Sequence, residues 1–382
     1  MTEHELDAEH LLADEYAVAE TLTPGLLASL RDEDFDVLER RDSPGLEHFR
    51  RAGGTGVLVP TEHHGTGASA ADAAALQMAL GRHSPSLAVA TNMHHFSVAT
   101  LAEMSRSPQA SMEWVMLQAI AQSNLLVASG FAEGQPGQHV YSPTLHAVED
   151  ADGVRISGQK RPCSLAWSMD VLTASVLVTA AGGSTRPAVV MIPARSPGVS
   201  VEEFWSNPVL AGAESDAVIL DDVLVPNRLV MYPLDDSFSD DPQYARGFAW
   251  FELLVSSSYL GNCYGMLLNA LRRAKDPGAL VGVAATLQMC RGSLYDLARQ
   301  VDSAEESAML LPASLLVRYA VQDALMRAST EIAEAAGGMA FISSAETSYR
   351  LAASRAMAFH PPSKAQAWSS LGESLLGADF RL

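Results

Sequence analysis

Four short stretches carry side chains able to do chemistry. In AFHPPSKAQAW, Ala358 to Trp368, His360 stands directly before Pro361 and Pro362. In NMHHFSVATLAEM, His94 and His95 lie side by side in a helical run. WFELL holds Glu252 among apolar residues, and PCSLAW holds Ser164. An imidazole titrates near neutral pH and can give or take a proton; a carboxylate is the other common base. A hydroxyl both donates and accepts a hydrogen bond. Each stretch also has a plainer reading. A Pro-Pro pair fixes two φ angles and removes two N–H donors, so it stops the incoming helix at or near His360 and leaves the histidine at the surface. His94 and His95 read equally well as helix residues, one facing solvent and one packed.

The elements that must position these side chains fall into three regions by periodicity. Residues 1–125 read as helices: LDAEHLLADEYAVAETL, the stretch around DSPGLEHFRRAG, and ASAADAAALQMALGRH repeat their apolar residues at three- and four-residue spacing. Residues 126–232 are short, β-branched and punctuated by Gly, Pro and Asp, as in LLVASGF, MDVLTASVLVTA, RPAVVMIPA and DAVILDDVLVP. In VEDADGVRIS, Asp152-Gly153 between two alternating runs predicts a hairpin. Residues 245–382 return to longer helices rich in Ala and Leu, whose Met and aromatic residues fall at core spacing.

Composition narrows the function classes. With 382 residues, 48% hydrophobic and 18% charged, the chain is globular and large enough for one to three domains. A net charge of −20 repels phosphate backbones and anionic lipid, so neither nucleic acid nor a membrane is expected as a partner. No apolar run is long enough to span a bilayer, and MTEHELDAEHLLADEY is acidic, unlike a secretory or transit peptide. Cys163, Cys263 and Cys290 are far apart and odd in number, which fits a reducing cytoplasm and no metal cluster. No C-x-x-C, H-E-x-x-H, G-x-S-x-G or G-x-x-x-x-G-K-[ST] occurs.

The order helices, β insert, helices resembles the acyl-CoA dehydrogenase superfamily of flavoproteins over nearly the whole chain. SGFAEGQPGQ (Ser129–Gln138) is similar to its flavin-contacting strand and loop, and ISGQKRPCSLAWSMDVLTASV (Ile156–Val176) to its next strand pair. ILDDVLVP (Ile219–Pro226) resembles F-D-[DN]-V-x-V-P, and EIAEAAGGMAF (Glu331–Phe341) resembles Q-x-x-G-G-x-G-[YF]. The resemblance implies an α+β multidomain fold with an N-terminal helical domain, a middle antiparallel β-barrel domain and a C-terminal four-helix bundle. It implies FAD or FMN as cofactor, with Phe131, Ala132 and Ser164 flanking the flavin ring. The Ser164 hydroxyl would serve the flavin N5 edge, which alternates between acceptor and donor. Gly337 and Gly338 would let backbone approach the cofactor pyrophosphate, or end a helix as an ordinary cap.

The departures from that family concern the base and the cofactor's adenylate and phosphate contacts. Its dehydrogenases remove an α-proton with a glutamate in a C-terminal Y-E-G-T segment; here Phe359-His360-Pro361-Pro362 aligns, with histidine in the glutamate place. A second placement of the base aligns near Phe251. Glu252 is adjacent, but one residue along a helix is about 100° of rotation. The R-x-Q-F-G motif for the adenylate half of FAD is replaced by RRAKDPGALVG, which a Pro-Gly pair interrupts, and Glu334 stands where the family has glutamine. The two-component flavin monooxygenases of the superfamily have a signature similar to Arg355…His360-Pro361-Pro362…Trp368…Gly372 and a second histidine on an N-terminal helix, which His95 or His94 supplies.

The favoured expectation is a monooxygenase or oxidase using reduced flavin and oxygen, with His360, His95 and Glu252 as candidate catalytic residues. The alternatives are a dehydrogenase of an acyl-CoA or carrier-bound acyl thioester with an atypical base, and a non-catalytic relative that has lost flavin. Expected partners are a small-molecule or acyl-thioester substrate, a flavin reductase or electron-transfer flavoprotein, and further copies of the chain in a dimer or tetramer.

Overall fold

The computed structural model describes residues 8–106, 112–133, 143–233, 238, 241–274, 276–303 and 307–380. Gly134–Gln138 of the SGFAEGQPGQ segment and residues 1–7 of the acidic N-terminus lie outside the described residues. The N-terminal helices are α1 (Ala13–Leu22), α2 (Leu26–Arg31), α3 (Phe35–Glu39), α4 (Gly45–Arg51), α5 (Ala70–His83), α6 (Pro85–Ser105) and α7 (Met112–Ser123). The strands are β1 (Val127–Gly130), β2 (His146–Glu149), β3 (Gly153–Cys163), β4 (Val171–Thr179), β5 (Thr185–Pro193), β6 (Val199–Glu202), β7 (Asp216–Pro226) and β8 (Val230–Met231). The chain closes with α8 (Pro242–Arg273), α9 (Val281–Asp302), α10 (Leu310–Ser343), α11 (Ala345–Ala356) and α12 (Lys364–Ser374).

Local chemistry sets the helix starts that matter for the site. Ser69 and Asp72 form a reciprocal capping box at α5. The Ser84 side chain accepts from Leu87 N–H with Pro85 in the first turn of α6, and Asp241 with Pro242 does the same for α8. The α5–α8 crossing depends on two glycines. A Cβ on Gly81 would lie 2.1 Å from the Ser258 carbonyl, and one on Gly261 would lie 2.2 Å from that of Met78. Only glycine lets the two helices approach so closely.

The VEDADGVRIS hairpin forms as its sequence predicts: β2 pairs antiparallel with β3, Glu149 opposite Val154. The sheet as a whole corrects the expected antiparallel barrel. It runs β6-β7-β3-β2-β4-β5-β8, with β1 attached to β4, and among the described residues its ends do not pair, so it is open. It is also mixed, because both β1 and β2 lie parallel to β4. Alternation along a strand records which face is buried and carries no information about the direction of a non-local partner.

α5 and α6 pack directly on α8, and one continuous apolar core runs through the helices before the sheet, the sheet and the helices after it. Among the described residues, no helix is long and apolar enough to cross a membrane.

Candidate functional site

α11 ends at Ala356, a short turn covers Met357–Phe359, and His360 takes an extended conformation before the prolines. The residue before a proline is pushed out of the helical region, so the break falls where the sequence places it. The turn is then tied from below by an arginine that sequence reasoning missed. Arg318, fully buried in α10, donates to the carbonyls of Pro362 (2.8 Å), Met357 (3.1 Å) and His360 (2.6 Å). Tyr319 donates its hydroxyl to the Pro362 carbonyl at 2.9 Å and stacks on Trp368. A lone arginine in the apolar run SLLVRYAV is the signal that would have found it, since burying a guanidinium requires a set of acceptors.

The imidazole of His360 packs over α8. Its ring centroid is 6.1 Å from that of Phe251 and 5.5 Å from that of Tyr259. The Tyr259 hydroxyl and Nε2 share a hydrogen bond of 2.9 Å. Burial pushes the Tyr259 pKa up, so the phenol keeps its proton; where it donates to Nε2, the neutral ring carries its own proton on Nδ1. Burial first, and the Arg318 cation second, hold the His360 pKa down at about 3.

Glu252 is turned away from this ring. It is fully buried beneath the turn, with Oε2 3.2 Å from Arg318 Nε. Burial pushes its pKa up to about 8, against the pull of Arg318. The rotation between neighbouring helix residues thus puts Phe251 on the His360 side and Glu252 on the Arg318 side.

From Phe251 a series of aromatic rings leads to the strand end. Phe96 of α6 lies 5.5 Å from Phe251 and 5.7 Å from Phe131, centroid to centroid. Phe131 and Ala132 continue β1 alongside the end of β3, where Arg161 N–H donates to the Ala132 carbonyl at 3.0 Å. Ser164 lies just past β3, its Oγ 2.9 Å from that of Ser215. Phe131, Ala132, Ser164 and His360 are therefore linked through adjacent elements. Arg161 packs over the Phe204 ring, and its buried Nε has no hydrogen-bond partner among the described residues.

The structure places the other candidates elsewhere. His94 and His95 are both fully buried and both engaged. His94 Nε2 donates to the Thr55 carbonyl at 3.0 Å, while Nδ1 accepts from Val127 N–H at 3.1 Å. His95 Nδ1 meets the Gln77 side-chain amide at 3.1 Å, and Nε2 lies 3.4 Å from the Gly54 carbonyl. These rings stitch the Gly54–Gly56 turn and β1 to the helices. Gly337 breaks α10 at φ 80°, beside a pocket lined by Met266, Asn269, Arg273 and Ala336. Met266 is fifteen residues beyond Phe251 on α8, about 22 Å along the axis. Gly337 and Gly338 are thus remote from the ring series within one chain. Among the described residues, no cluster of His, Cys, Asp or Glu could hold a metal ion.

Burial holds His94 at about 4 and His95 at about 3, well below a free histidine. Below about pH 6.5 the unfolded chain therefore binds protons that the folded chain does not, and stability falls with pH. Each histidine contributes up to about 1.4 kcal/mol per pH unit between about pH 6.5 and its folded pKa. Denaturant midpoints measured from neutral pH down to about 4.5 should fall less steeply in His94→Gln and in His95→Gln than in the wild type. Unchanged slopes in both variants would contradict the placement of the two rings.

No family model matches the sequence. Isobutylamine N-hydroxylase from Streptomyces viridifaciens is 40% identical over 372 residues, which span 95% of this chain and 97% of that protein. Among solved structures, TdsC from Paenibacillus sp. A11-2, crystallised with FMN and indole, has a TM-score of 0.80 at 17% identity, covering 97% of this chain and 98% of its own. A nitrososynthase from Micromonospora carbonacea var. africana has a TM-score of 0.77 at 19% identity, covering 99% of this chain and 98% of its own.

Proposed function

The chain belongs to the family of isobutylamine N-hydroxylase, flavin-dependent monooxygenases with the acyl-CoA dehydrogenase fold, and from that premise we propose that it oxygenates the nitrogen of a small primary amine. In the balanced reaction one atom of dioxygen ends on nitrogen and the other leaves as water, at the expense of two electrons and two protons. Bound reduced flavin supplies the electrons, delivered by a separate reductase.

The observation that carries this reading is the setting of His360, a neutral imidazole held by Tyr259 at the end of an aromatic series that begins at the Ser164 strand end. With Nε2 accepting from Tyr259, His360 offers Nδ1–H as a donor, suited to charge developing on oxygen. A pKa near 3 keeps the ring neutral and makes it a poor base for a carbon acid. That weighs against the dehydrogenase alternative, as does the engagement of Glu252 with Arg318.

The residues present fit a flavin. The Ser164 and Ser215 hydroxyls can meet a ring edge that both donates and accepts, Phe131 and the Ala132 backbone can flank the ring, and the unpartnered Arg161 Nε is available to an anionic tail. We favour FMN over FAD, because the interrupted RRAKDPGALVG segment and the remote glycine pair leave the adenylate half without the family's motif. The net charge of −20 favours the approach of ammonium substrates and disfavours CoA thioesters. The chain is read as three domains, 1–125, 126–232 and 245–382, sharing one core. Exposed Val281, Met289, Leu316 and Ile342 on α9 and α10 support a dimer or tetramer.

The test combines purified protein, FMN, a flavin reductase with NADH, and isobutylamine in air. The expected product is the amine one oxygen atom heavier. Flavin binding without oxygenation of any small primary amine would overturn the reading. Anaerobic bleaching of bound flavin by an acyl-CoA would favour the dehydrogenase, and failure to bind oxidised or reduced flavin would leave the non-catalytic alternative.

A further inference from the structure

Asn92 is fully buried in α6, and neither its Oδ1 nor its Nδ2 has a hydrogen-bond partner among the described residues. A buried carboxamide with both ends unsatisfied is costly, and such a group calls for an explanation. The helix places it with some definition. Ala88, one turn earlier, has its carbonyl 3.4 Å from Ser258 Oγ of α8. Phe96, one turn later, meets Phe251 of α8 at 5.5 Å. Residues four apart share a helix face, so Asn92 faces α8 between Ser258 and Phe251, near the level of Val255.

His360 lies at that same level. Its ring contacts Phe251 and Tyr259, two turns apart on α8, and so spans the turn containing Val255. α6 and His360 therefore converge on one short length of α8. The neighbouring histidines of α6 are already bonded to Thr55, Val127, Gln77 and Gly54.

We propose that Asn92 is the polar group that α6 presents to the substrate, its carboxamide binding the amine nitrogen opposite His360. The assignment rests on the amine-oxygenating reading above. An amine must be neutral to use its lone pair on oxygen. A carboxamide oxygen can accept an amine N–H and leave that lone pair free, whereas a carboxylate would hold the ammonium. Asn92 does not titrate, so it serves this purpose over a wide pH range.

The experiment measures KM and kcat for isobutylamine, hydroxylated product formed per oxygen consumed, and melting temperature, in the wild type, Asn92→Leu and Asn92→Ser. Leucine matches asparagine in size and removes both unsatisfied atoms. It should leave the melting temperature equal or higher while raising KM by about tenfold or more and lowering product per oxygen. Serine keeps a hydroxyl and should fall between, which preserves the test if the leucine variant does not fold. A KM within twofold of wild type in either folded variant, with unchanged product per oxygen, overturns the role of Asn92. So does a fall in melting temperature with unchanged kinetics. If the wild type itself oxygenates no amine, the functional reading fails and takes this assignment with it; the two failures are thus distinguishable.

Discussion

Replacing His360 by alanine is expected to lower amine oxygenation by about 10²–10³-fold, the range for losing a donor aimed at developing charge. The fold should survive the change. Arg318 holds the backbone carbonyl of His360, so alanine leaves the turn tied. Reduced flavin should still consume oxygen in the variant, with hydrogen peroxide replacing the hydroxylated product. Product formation and peroxide release, measured together, separate a lost donor from a lost flavin site. Full product yield in the variant would remove His360 from the chemistry.

Arg318→Met is expected to cost about 3–5 kcal/mol of stability above about pH 8, where Glu252 is charged, the range for breaking a buried ion pair, and less at neutral pH. The substitution strands Glu252 in the core and takes the donor from three carbonyls of the His360 turn. Lysine should not rescue it, because one ammonium cannot reproduce a guanidinium fork spread over three acceptors. The pH dependence follows from Glu252. Its folded pKa is raised to about 8, above the unfolded value of about 4.3, so this group subtracts stability as pH rises between the two. Removing the Arg318 cation raises the folded pKa further, so the gap between variant and wild type should widen as pH rises past about 8. Adding Glu252→Gln should abolish that widening. Denaturant unfolding at several pH values reads both effects, and a variant within about 1 kcal/mol of wild type would contradict the tie.

How legible these features were depends on whether their causes are local. The hairpin around Asp152-Gly153 and the helix stop before Pro361 formed as read, because turn chemistry acts within a few residues. The Pro277-Gly278 interruption also formed, separating α8 from α9. The parallel pairing of β1 and β2 with β4 was not legible, since the partner strand is distant in sequence. The same distinction runs through the site. Phe131, Ala132, Ser164 and His360 were singled out by a resemblance that covers nearly the whole chain, and adjacent elements link them. The surroundings of His95 were not legible because α6 is buried on nearly every side, so no polar stripe marks which face meets α8. Asn92, three residues earlier, carries no motif. It stands out only when its missing partners are known. Arg318 and Tyr259 join the site from elements 42 and 101 residues away from His360, a relation that only the tertiary structure reveals.

The central claim, that this chain transfers oxygen from dioxygen to an amine nitrogen, is tested most directly with isotopically heavy dioxygen. Wild-type protein, FMN, a reductase with NADH, and isobutylamine are incubated under the labelled gas, and the product is read by mass spectrometry. The account predicts an N-hydroxylated amine carrying one heavy oxygen atom. Oxygen consumption that yields only peroxide, or a product whose oxygen comes from water, would contradict it.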